Sequence, residues 1–238
     1  MAVIYPAWPM PAGIAIALTC SDEAIGVDNP YGTHNLALHV DDDAKRVLCQ
    51  RQQLWRDLVG VRHIQWLQQV HGTEVVRACS NRVTLEADGC YTNEMGMACA
   101  VLTADCLPIL FASADGRQVA AVHAGWRGLA AGIVIQALAR FDRQVPIWAY
   151  LGVAIGPNAF EVGPEVKAAF AQAPSACFRK GQGDRYFADL YALARWQLHR
   201  CGVTHVYGGD QCSVSDDRYY SYRRLSVTGR MASLIWRY

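Results

Sequence analysis

Basic residues are missing from the start of this 238-residue chain: neither Lys nor Arg precedes Lys45. The opening stretch MAVIYPAWPMPAGIAIALTC is apolar, but it lacks the basic start of a signal peptide, and Pro6, Pro9 and Pro11 interrupt it. No stretch approaches the roughly 18 consecutive apolar residues of a membrane-spanning helix. No Pro/Gly/Ser-rich linker, low-complexity tract or internal repeat divides the chain, so residues 1–238 read as one domain. Close CxxC pairs are absent as well. The nine cysteines stand at positions 20, 49, 79, 90, 99, 106, 177, 201 and 212, an odd and scattered set. With no export signal, this predicts reduced thiols in a cytoplasmic protein, most of them small core residues. HxH pairs are absent too. A four-copper laccase needs many imidazoles, usually in such pairs, plus a blue-copper ligand set. Seven histidines at 34, 39, 63, 71, 123, 199 and 205 do not supply them.

What is present is a composition 52% hydrophobic and 18% charged, as expected of a folded chain with a sizeable core. A net charge of +1 argues against nucleic acid or an anionic membrane as the main partner, though it leaves room for a local basic pocket.

The apolar pattern gives many strands and few helices. GIAIALTC reads as a buried strand, followed by strand-like runs at 63–70, 73–78, 97–103, 106–112 and 117–123. DDDAKRVLCQRQQLWRDLVG reads as a helix with Val47, Leu48, Leu54, Trp55, Leu58 and Val59 on one side and Gly60 as its stop. Residues 128–141 read as an Ala/Leu-rich helix. PIWAYLGVAI is a strand, Pro164 suits a first helical position, and DLYALARWQLHRCG is a helix closed by Gly202. THVYGG and TGRMASLIW finish as strands. Strands that outnumber helices without regular alternation predict an α+β fold, or mixed sheets with helices outside.

Three residues with metal-binding chemistry fall where apolar strands end: His71 in QQVHGTEV, Cys106 in TADCLPIL and His123 in AVHAGWRG. Imidazole and thiolate suit zinc, and three protein ligands leave a fourth position open, as in catalytic sites. The separations of 35 and 17 residues fit no short-range motif. The residues alone therefore leave two readings open: one shared metal site, or three unrelated side chains. In HAGWRGLAAG, glycines flank Trp126 and Arg127 at a helix start, where main-chain amides and a guanidinium could hold an anion. Arg127 as an ordinary surface arginine is an equal alternative. Asp105 could relay a proton or orient a ligand histidine, or serve only the local structure. Asp88 in EADGCYT reads as a turn carboxylate capping its own loop. Arg223 and Arg224 read as solvated charges.

The motifs QQVHG, ADGCYT, TADCLPIL, AVHAGWRGLAAGI, AIGPNAFEVGPEV and YYSYRRLSVTGRMASLIW resemble the YfiH family, also called the laccase-domain or "multicopper polyphenol oxidase" family. The resemblance spans nearly the whole chain. It implies a four-layer α/β/β/α sandwich with mixed sheets, similar to the catalytic domain of cytotoxic necrotizing factor. It implies zinc ligands at His71, Cys106 and His123. It also implies purine nucleoside phosphorolysis (adenosine, inosine, methylthioadenosine) with adenosine deamination, on small-molecule substrates and phosphate. Asp105, Cys106 and Arg127 are then the catalytic candidates, and Asn35, His39 and Arg127 the substrate-binding ones. Rival readings are a cytosolic cysteine or zinc hydrolase editing peptidoglycan precursors, a copper polyphenol oxidase, and a non-catalytic metal-binding module. Two positions depart from the family pattern: Asp22 stands where an arginine is usual, and Leu225 where an aspartate is usual.

Overall fold

The computed structural model describes residues 2–81 and 83–238. Its frame is two sheets packed face to face. The first has five strands in the order Ala2–Ile4, Ile14–Cys20, Met231–Arg237, Met97–Thr103, His63–Gln65. All its neighbours are antiparallel except the last pair. The second has six strands in the order His205–Gly208, Ile147–Leu151, Leu107–Ser113, Val119–Ala124, Gly89–Thr92, Val75–Arg77. Its inner pairs are antiparallel and both outer pairs parallel. A small three-stranded sheet, in the order Glu161–Val162, Tyr186–Ala188, Phe178–Lys180, is hydrogen-bonded to neither but shares an apolar layer with the second.

Three separate apolar layers show why the strand sequences are apolar without a break. Along Leu107–Ser113, successive side chains alternate between faces. Leu110 and Ala112 enter the core between the sheets with Ile16, Leu18, Cys99, Val101 and Ile235. Leu107, Ile109 and Phe111 face a helical layer holding Leu129, Ile133, Leu193 and Leu198. On the far side, Ala98, Ala100, Leu234 and Trp236 meet Leu54 of the helix Ala44–Asp57 and Leu58 just beyond it. A strand covered on both faces has no polar face to show, so alternation disappears. The result is the α/β/β/α layering implied by the sequence resemblance. Among the described residues, no helix is long and apolar enough to cross a membrane.

Local expectations fail in instructive places. Residues 128–141 do not form one helix. Two short helices, Trp126–Ala131 and Ile133–Leu138, meet at Gly132, which ends the first in the left-handed region at φ 95°. The helix Ala44–Asp57 forms as expected, capped by Asp43, whose side chain accepts from the Lys45 and Arg46 amides. It buries only Val47 and Leu54, with Leu58 just beyond it. Leu48, Trp55 and Val59 remain 54%, 40% and 84% exposed. One helix on a flat sheet covers a single stripe, and these three lie to its side. Of the nine cysteines, Cys20, Cys90, Cys99 and Cys177 are buried, fewer than expected; all nine are free thiols.

Candidate metal centre

The stretch that carries Cys106 is a corner. The strand Met97–Thr103 belongs to the first sheet and Leu107–Ser113 to the second, and residues 104–106 carry the chain across. Asp105 makes that turn possible by adopting φ 90°, an uncommon conformation for a residue with a Cβ. Its carboxylate is tied down on both oxygens. Ser213 Oγ donates at 2.6 Å and the Arg223 amide at 2.6 Å. The aspartate thus clamps the C-terminal loop to the corner, while the neighbouring thiol faces the other way.

Cys106 meets two histidines there. His123 lies near the end of its strand, opposite Pro108 in the register, which brings it beside the start of the strand that follows Cys106. His71 arrives on the loop before Val75–Arg77. Its Nε2 is 3.9 Å from Cys106 Sγ, and its ring stands edge-on to that of His123 with centroids 4.7 Å apart. One ligand atom from each of the three falls within 4.8 Å of the others. Among the described residues, no other group of His, Cys, Asp or Glu is placed this way.

Asp88 organises the cluster, and sequence reading gave it too small a task. It is fully buried. One oxygen accepts from His123 Nδ1 at 2.8 Å and from the His71 amide at 2.9 Å. The other accepts from the Val70 and Gly72 amides at 3.1 and 2.6 Å. Two consequences follow. His123 is held with its Nδ1 proton on Asp88, leaving Nε2 for the cluster. His71 is held at φ 60°, left-handed backbone that is uncommon outside glycine. The signal available in the sequence was a carboxylate just ahead of a short apolar strand, where a solvated turn residue is equally at home.

The electrostatics follow from this packing. Burial alone would raise the Cys106 thiol, but the His123 imidazolium beside it, with hydrogen bonds from both histidines, pulls it down to about 6. Burial alone would lower His123, but the Cys106 thiolate and Asp88 hold it up at about 9. Both shifts run in the direction that favours a thiolate beside an imidazolium. Burial works against Asp88 as well, yet the His123 hydrogen bond and the Gly72 and Val70 amides keep it below the usual carboxylate range.

Two glycines of HAGWRG are required by close approach. A Cβ on Gly125 would lie 2.9 Å from Cys106 Sγ, and one on Gly128 would lie 2.9 Å from the Gly72 carbonyl oxygen. Arg127 follows on the exposed side of a six-residue helix, with its guanidinium over the Trp126 ring at 4.5 Å. It has no ion-pair partner among the described residues. Asn35 is fully buried and all four of its hydrogen-bonding positions are engaged. It donates to the Ala37 carbonyl and Asp42 and accepts from the Ala37 and Arg230 amides. His39 lies at the surface. Partial burial, then Arg230 and Arg51, lower its pKa. Arg230 was not singled out in the sequence. It is half-buried, and the charges on Cys106 and Asp105 reach it. Arg224 is no solvated charge: its guanidinium donates to the carbonyls of Ser213, Val214, Asp216 and Tyr219. Asp22 pairs with His34 at 2.5 Å, and Leu225 packs against the core between the sheets.

A family model described as multi-copper polyphenol oxidoreductase laccase matches residues 18–238. The chain belongs to this family. Relatives agree along its length. It is 44% identical to a protein of Escherichia coli named purine nucleoside phosphorylase YfiH, with 98% of both chains covered. It is 45% identical to a purine nucleoside phosphorylase of Pseudomonas aeruginosa, over 98% of this chain and 97% of that one. Among solved structures, a Neisseria meningitidis protein matches with a TM-score of 0.91 at 41% identity, covering 99% of this chain and 98% of the other. The laccase family name points to copper. The donor set of this member, two imidazoles and a thiolate in one group, is one that copper and zinc both accept.

Proposed function

We propose that this laccase-family chain is a zinc-dependent purine nucleoside phosphorylase acting on adenosine, inosine and methylthioadenosine, with adenosine deamination as a second activity. The observation that carries the reading is the His71–Cys106–His123 cluster in a chain whose full-length relatives are named purine nucleoside phosphorylases. The three residues fit a metal on chemical grounds. The thiol is already acidified, and Asp88 holds the Nδ1–H of His123, so that Nε2, once a metal displaces its proton, would present its lone pair to the cluster. Zinc there would supply Lewis acidity and an acidified water. Several imidazole-rich centres, as a multicopper oxidase needs, have no counterpart among the described residues.

The chain's own residues supply the rest. In phosphorolysis, a phosphate oxygen bonds to C1′ as the C1′–N9 bond breaks, and the base leaves with the electron pair and a proton. The phosphate needs cations near the cluster. Arg127 offers one, two residues beyond the glycine that abuts Cys106. Arg230 offers another, held through its amide by Asn35. His39 lies close enough to Arg230 to feel its charge. Asp105 acts through others, by locking the loop around residues 213 and 223 to the corner.

The test is metal analysis of protein purified without added metal, then nucleosides with and without phosphate. About one zinc per chain and base release that requires phosphate are expected. Several coppers and no zinc would overturn the metal assignment. Arg127→Lys keeps the charge but loses the planar fork and should raise the phosphate requirement; unaffected phosphorolysis in Arg127→Ala would remove that residue from the site. One observation favours a second reading. Cys106, His123 and Asp88 also form a nucleophile, base and orienting carboxylate in sequence, the arrangement of a cysteine amide hydrolase acting on substrates such as peptidoglycan precursors. Amide hydrolysis abolished by alkylation of Cys106, in metal-free protein, would select it.

A further inference from the structure

Arg51 presents an unbalanced charge. It lies on the helix Ala44–Asp57 with its guanidinium over the Trp66 ring, 4.2 Å from the centroid. Its Nε donates to the Leu36 carbonyl at 2.7 Å. Its two terminal amino groups have no hydrogen-bond partner, and it has no carboxylate, among the described residues. Burial alone draws its pKa down to about 10. A largely buried cation without a counter-charge is costly to keep.

Its surroundings are equally unusual. Arg51 borders a groove of about 580 Å³ between this helix, the edge strand His63–Gln65 and the residues Cys79, Ser80, Val83 and Thr84. The volume is typical of small-molecule sites. Leu38, Leu48, Trp55 and Val83 line it while 46%, 54%, 40% and 49% exposed. No described lining residue is Asp or Glu, and Arg62 adds a second positive charge. His71, Cys106 and His123 do not line it. The apolar side of the helix that the first sheet leaves uncovered therefore forms a wall of this groove.

We propose that the groove is a second small-molecule site, which takes an apolar body bearing one acid group and pairs that group with Arg51. The apolar walls suit the body. The open amino groups of Arg51 suit a single acid group, and Trp66 and Leu36 already hold the guanidinium in place, so little freedom is lost on binding. Arg62 gives an amino group to the Met95 carbonyl, which leaves Arg51 as the principal anchor.

Two fluorescent probes with the same ring systems test this on the full chain: the anion 8-anilinonaphthalene-1-sulfonate and the neutral N-phenyl-1-naphthylamine. The anion should bind saturably at one site per chain, quench tryptophan emission, and bind about tenfold tighter than the neutral probe, the effect of a charge-assisted hydrogen bond. Arg51→Met should equalise the two affinities, and Trp55→Ala should weaken both. If Arg51→Met does not fold, alkylation of Cys49, an exposed thiol that lines the groove, should block both probes. Cys106→Ala should change neither. Equal affinities in the parent protein, or an anion preference that survives Arg51→Met or Cys49 alkylation, would overturn the proposal. So would a dimer in solution with Cys49 protected, because a second copy of the chain would then cover the groove.

Discussion

Asp88 touches more of the centre than any of the three candidate ligands. Replacing it with Asn keeps the shape but loses the carboxylate that accepts from His123 Nδ1 and the reach of both oxygens to the His71 loop. Partners of this kind are worth about 10–100-fold in metal affinity. Asp88→Asn should weaken zinc binding by that factor in chelator competition. Asp88→Ala should also destabilise the apo protein by about 1–3 kcal/mol, because three main-chain amides and the buried His123 Nδ1–H lose their acceptor. Zinc affinity unchanged in Asp88→Asn would show that His123 is oriented by something else. The thiol makes a second prediction. In chelated protein, alkylation of Cys106 should rise through a pH of about 6 and be level by pH 8, since the thiolate is the reacting form and its proton is lost early. His123→Ala should move that rise upward, because only His71 then offsets burial. Peptide mapping must follow the reaction, as Cys49 and Cys201 are exposed. Restoring zinc should slow alkylation if Cys106 is a ligand. A rate indifferent to zinc would favour the nucleophile reading.

At the scale of elements, strands were more legible than helices. Apolar runs such as residues 97–103 announce themselves, and the structure places that strand where the pattern does. Helices depend on which stripe is covered, and periodicity cannot say how wide the covering surface is. That is why Leu48, Trp55 and Val59 read as one side with Val47 and Leu54, yet stay exposed. Gly132 is the other lesson. An Ala/Leu-rich stretch reads as one helix, but a glycine at φ 95° ends the first segment and starts the second. Gly132→Ala should cost on the order of 1 kcal/mol or more in chemical denaturation, since the native φ is strained for alanine. A stabilised variant would mean that the two helices can merge. Gly125→Ala should act differently. Its Cβ would press on Cys106 Sγ, so metal affinity should fall by more than stability does. The residue types of the centre were readable, as His71, Cys106 and His123 each end an apolar run. Their meeting was not, because it depends on a sheet-to-sheet corner and on a carboxylate 35 residues from His123 in sequence.

For the whole molecule, unbroken apolar strands pointed to sheets covered on both faces, but the number of layers came from family resemblance rather than from periodicity. The layering decides what metal removal should do. Three apolar layers, between the sheets and on the outer face of each, hold the fold without reference to the centre. The centre sits at one corner, where residues 104–106 pass between sheets and the Asp105 carboxylate ties the loop around Ser213 to that corner. Chelation should therefore leave the chain folded and loosen it locally. Hydrogen exchange should quicken at residues 70–72, 105–107 and 123–125, with the inner strands Ile14–Cys20 and Met231–Arg237 unchanged. A metal that binds only the folded state adds about 2.7 kcal/mol at a hundredfold excess over its Kd. In a chain of this size that is a rise in Tm on the order of 5–10 °C. Adding zinc to chelated protein should produce that rise, and Cys106→Ser should abolish it while keeping the apo Tm within a few degrees. Global unfolding on chelation would show that the metal supports the fold itself, and that the three apolar layers are insufficient without it.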